Sequence, residues 1–102
     1  MVNNHKAIII GKLFDLFENK KFYQCTSTQN EVENITTLLF ETKYNGKRNW
    51  CKIILPYFIH EETALWTKFS IEYIIDGKVI KLSFISEEKL IEIINEIPKQ
   101  NG

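Results

Sequence analysis

The sequence predicts a two-layer α+β domain: a four-stranded antiparallel meander sheet with an N-terminal and a C-terminal helix on one face (α-β-β-β-β-α). Two observations predict it. Apolar residues recur at helical spacing near both ends of the chain, around Leu13 and around Ile93. Between them stand two turn dipeptides, Asn45-Gly46 and Asp76-Gly77, each flanked by runs rich in strand formers. The chain of 102 residues has room for one core, so 1–102 is expected to be a single domain. Its 44% hydrophobic and 25% charged residues match a globular domain rather than a disordered one.

The first helix is expected over residues 5–19. Ile10, Leu13, Phe14 and Phe17 fall at i, i+3, i+4 and i+7, and Ile9 and Leu16 widen that stripe. Lys12, Asp15 and Glu18 lie on the other side. Asn3 or Asn4 suits the start, and Lys20-Lys21 suits the negative end of the helix dipole. The last helix is expected over 87–97. Ser86 is its cap, Glu87 and Glu88 sit at its positive end, and Pro98 stops it. Leu90, Ile93, Ile94 and Ile97 form its apolar stripe.

The turn dipeptides set the register between them. Asn and Gly, or Asp and Gly, adopt positive φ at low cost and so form type I′ turns. About Asn45-Gly46, Phe40 then faces Cys51 and Leu38 faces Ile53. About Asp76-Gly77, Tyr73 faces Ile80, Ile71 faces Leu82 and Phe69 faces Phe84. On the opposite side Glu72 meets Lys81 and Ser70 meets Ser83. Residues 65–75 read as one alternating strand, with Leu65 inward and Trp66 outward. Pro56 cannot donate to a ladder and is expected to end its pairing or mark a bulge. The polar run Thr26–Glu31 has no periodicity and reads as part of a loop over 22–34.

Both helices have one oily face, and so does the sheet, so the helices are expected to cover the same side. The other side then carries Lys43, Arg48, Trp50, Lys52, Trp66, Lys68 and Lys81, with Leu39, Ile54, Ile74, Val79 and Ile85 between them. Only Glu41 and Glu72 oppose those bases. A contiguous apolar patch on a sheet face marks contact with something, and Trp and Arg are enriched at interface hot spots. The alternative is that the two tryptophans pack on each other or lie under the 22–34 loop.

Several function classes recede. Lys plus Arg is 13 and Asp plus Glu is 13, so the chain lacks the excess of bases that a histone-like protein needs. Cys25, Cys51, His5 and His60 lack the close ligand pairs of a zinc site, and Cys51 is expected inward as a small hydrophobe. His60-Glu61-Glu62 reads as a solvated loop, and there is no glycine-rich phosphate cradle. No enzyme, metal or cofactor is therefore expected. The apolar runs are far shorter than the ~20 residues that span a bilayer, so no membrane partner is expected. The start of the chain shows no secretory pattern and the cysteines are two, which together read as a cytoplasmic compartment. Lys outnumbers Arg 12 to 1 and Ile occurs 16 times, a composition resembling AT-rich bacterial, phage or viral genomes.

What remains is a small binding domain. The expectation is a protein partner met by Lys43, Arg48, Trp50, Lys52, Trp66 and Lys68, in the manner of small immunity or phage anti-defence inhibitors. A homodimer through the sheet or the first helix would satisfy the same surface. The runner-up is single-stranded nucleic acid, with bases stacked on the tryptophans and phosphates on the lysines. The four strands followed by a helix, in the last two-thirds of the chain, are similar in topology to the Whirly and transcription-coactivator type of single-strand binder. That similarity rests on no shared motif.

Overall fold

A computed structural model describes residues 3–42 and 48–100. The elements are α1 (Lys6–Asn19), β1 (Gln24–Asn30), β2 (Ile35–Glu41), β3 (Trp50–Pro56), a 3-10 helix (Glu61–Trp66), β4 (Phe69–Ile75), β5 (Lys78–Ile85) and α2 (Glu87–Glu96). The strands form one antiparallel sheet in the order β1-β2-β3-β4-β5. The α+β meander with a helix at each end is therefore as expected, with five strands rather than four.

The extra strand is β1, which falls within the expected 22–34 loop. Its sequence QCTSTQN is polar because it is an edge strand with one neighbour, and only Cys25 packs against the core. The turn after it is built from side-chain chemistry. Asn30 Oδ1 accepts from the Glu33 N–H at 3.0 Å, and Asn34 takes a φ of +59°, which asparagine tolerates.

The register of β2 with β3 is the expected one, Phe40 opposite Cys51 and Leu38 opposite Ile53. The Asn45-Gly46 turn, like Lys43, lies outside the described residues. The β4–β5 turn has φ of +50° at Asp76 and +81° at Gly77, the type I′ signature. Pairing runs from it as expected through Ile71 opposite Leu82.

Beyond that point the expected register fails, because a β-bulge intervenes. Phe69 faces Ile85 instead of Phe84, and Phe84 takes a φ of +58°. Two further corrections concern residues 65–68. Leu65 and Trp66 belong to the 3-10 helix, not to a strand, and β4 begins only at Phe69. The stretch from His60 is held instead against the N-terminus. His5 N–H donates to Ile59 O at 2.7 Å, and Glu61 N–H donates to Asn3 O at 2.8 Å.

One core lies between the sheet and both helices. Ile9, Leu13 and Phe17 of α1 and Leu90, Ile93 and Ile94 of α2 are buried on it. The Phe17 ring stacks on Phe40 with centroids 4.1 Å apart. Phe14, expected inward, is displaced to the margin and meets Phe40 edge-on. Chain exit from α1 is locked by a Schellman motif. Phe22 N–H donates to Phe17 O at 2.9 Å, Lys21 N–H donates to Glu18 O at 2.9 Å, and Lys21 sits at φ +65°. The start of α2 is capped as expected, with the Lys89 N–H donating to Ser86 Oγ at 3.1 Å.

Candidate binding face of the sheet

Alternation places every second residue of the five strands on the side away from the helices, and the register arranges them in rows. At one end Glu41, Trp50, Ile74 and Val79 lie side by side. The next row is Thr26, Leu39, Lys52, Glu72 and Lys81. Then come Thr28, Thr37, Ile54 and Ser70, and last Asn30, Ile35 and Pro56. With strands about 4.8 Å apart and seven residues long, the face measures roughly 20 Å each way. None of the described elements covers it.

Of the expected site residues, the sheet brings Trp50 and Lys52 together on this face, next to Arg48. Lys68 precedes β4 at the far end. Trp66 does not join them. It is 76% exposed, and it stands eight residues along the chain from Ile74, the β4 partner of Trp50. Trp66 belongs to the 3-10 helix and not to a strand, so the sheet register does not set it beside Trp50.

The cations are less available than the sequence suggests. Arg48 Nε donates to Glu41 Oε2 at 2.6 Å. Glu72 is shared by Lys52 at 3.2 Å and Lys81 at 3.8 Å. The face therefore presents paired charges bordered by half-buried Leu39, Trp50, Ile54 and Ile74, rather than a basic groove.

A residue the sequence reading placed inward dominates the far end. Two residues of β5, Ser83 and Phe84, oppose the single Ser70 of β4, so the bulge turns Phe84 onto this face. Phe84 is 84% exposed there and borders a shallow groove of about 340 Å³ with Ile35, Ile54, Pro56, Lys68 and Ser70. The bulge also returns Ile85, expected outward, to the core margin. The signal in the sequence was the adjacent pair Phe84-Ile85, which breaks the alternation of β5. Beyond the groove, Tyr57 Oη donates to Glu31 Oε1 at 3.1 Å. That hydrogen bond and the carboxylate charge raise the Tyr57 pKa.

The buried side of the same strands holds the thiols. Cys51 is fully buried, and burial pushes its pKa far above the ordinary thiol range. Cys25 and Cys51 flank Phe40 on either side, two strands apart at about 10 Å, beyond disulfide reach. Among the described residues no group of three or more His, Cys, Asp or Glu is placed to hold a metal, and no helix is long and apolar enough to cross a membrane. Comparison with protein-family models, curated proteins and solved structures found no match.

Proposed function

We propose that this chain is a non-enzymatic binding domain of inhibitor type that covers part of another protein with the outer face of its sheet. One observation carries the reading. Phe84 stands at positive φ, a conformation that costs a bulky residue on the order of 1–3 kcal/mol, and the result is a phenyl ring held in water. The bulge returns Ile85 only to the core margin and leaves the larger ring in water, and a ring beside an apolar groove is the anchor-and-pocket arrangement of an interface hot spot. Trp50 and Ile54 extend that anchor along the face, while Lys52, Lys68 and Arg48 border it with donors for an acidic or mixed rim. The paired charges favour protein over nucleic acid, because cations already neutralised release few counterions.

The test compares capture from the native host by the wild-type chain with capture by Phe84→Asp, Trp50→Ala and a control change on α1, Asp15→Ala, an exposed residue on the other side of the sheet. Phe84→Asp and Trp50→Ala should each lose an identified protein that the wild type and control retain, with circular dichroism unchanged. Equal capture by all four chains defeats the reading. Trp quenching by a short oligonucleotide at low salt, abolished at moderate salt, would transfer it to single-stranded nucleic acid.

A further inference from the structure

A second surface lies on the helical side, separate from the sheet face. The 3-10 helix Glu61–Trp66 buries none of its residues. Leu65 is 90% exposed and Trp66 76% exposed. An Ala or Ser at either position would keep the segment as ordered, since its backbone is held by Asn3, His60 and Ala64. Beside Leu65 is a groove of about 450 Å³ between α1, the 3-10 helix and the start of α2, lined by His5, Lys12, Ala64, Leu65, Glu88 and Ile91. Lys12 bridges its walls to Glu87 at 3.4 Å. Ile8, more than half exposed, falls between His5 and Lys12 on the same stripe of α1.

We infer that this end of the molecule is a two-fold interface between two copies of the chain, with the 3-10 helix of each copy lodged against the groove of the other. Three features select a second copy over a different partner. A two-fold contact is made by one patch meeting itself, so knob and hollow must lie side by side on the same surface, as Leu65 and this groove do. The rim carries both signs, Lys12 against Glu87 and Glu88, so it needs no oppositely charged partner. The area is also of the right order. Leu65 and Trp66 expose on the order of 300 Å². With Ile8, Ile91 and the groove walls they come to roughly 500 Å² per partner, which two copies double to the roughly 1,000 Å² in total that a biological interface must clear. That lies at the small end for a homodimer, and the association we expect is micromolar.

Sedimentation velocity from about 1 µM to about 1 mM brackets that range. The wild-type chain should pass from monomer to dimer, and Leu65→Asp should weaken association at least tenfold with unchanged circular dichroism. In a Trp50→Phe background Trp66 is the sole tryptophan, and its emission should shift to the blue as the dimer fills. Phe84→Asp should leave the dimer intact, which separates this interface from the sheet face. A chain monomeric throughout overturns the inference. So does a dimer indifferent to Leu65→Asp, or Trp66 emission that does not change with concentration.

Discussion

Lys21 and Phe84 share an unfavourable backbone conformation, and their surroundings assign them opposite purposes. Lys21 occupies the left-handed position that ends α1, where glycine is the usual residue. Its side chain makes no hydrogen bond or ion pair among the described residues, so Lys21→Gly removes strain and little else. We expect a gain of about 1 kcal/mol in urea unfolding. Phe84→Asn also suits positive φ, and should hold or raise stability by up to about 1 kcal/mol while partner capture falls. Loss of stability on that change would mean the ring is structural. Asn49 works in the other direction. Its amide donates to Asp76 Oδ1 at 3.2 Å and to Gln100 Oε1 at 2.6 Å, and its Oδ1 accepts from the Asp76 N–H. It ties the start of β3 to the β4–β5 turn and to buried Gln100, so Asn49→Ala should cost about 1–3 kcal/mol.

Legibility differed from element to element for physical reasons. The helices and β2 to β4 could be read because each has one buried face, which writes a period into the sequence. Ser86 could be read because capping is local chemistry; replacing it with alanine should cost about 1 kcal/mol by thermal unfolding, since the Lys89 N–H loses its acceptor. β1 left no such period, for at an edge neither of its faces is fully buried. Leu65 and Trp66, the last two residues of the 3-10 helix, read as strand because with Lys68 they happen to continue the alternation of β4. What separates them is the backbone pairing of residues 3–5 with 59–61, a contact distant in sequence. The expected site was correspondingly half legible. Turn chemistry placed Trp50 and Lys52 correctly, whereas Trp66 and Phe84 depended on a segment boundary and a bulge that no single residue announces.

At the scale of the whole molecule the groups packed beneath the sheet set how stability depends on pH. Cys51 lies opposite Tyr73, and the pKa of each is raised, by burial first and for Tyr73 also by Cys51 and Glu96. Both are neutral when protonated, so the folded chain holds these protons after the unfolded chain has released them. Stability is thus unaffected below the ordinary thiol value of 9.0 and falls as pH rises through it. Cys51 alone contributes a slope of about 1.4 kcal/mol per pH unit above that point. Cys51→Ala leaves a small cavity and should cost about 1 kcal/mol at pH 7, where the thiol is neutral in both states. The variant carries no proton to lose, so its deficit should shrink from about pH 9 upward and reverse at about pH 9.7. Urea unfolding of both chains from pH 7 to pH 11 measures the crossing, and parallel curves would mean that the thiol beneath Phe40 ionises as readily in the folded chain as in the unfolded one.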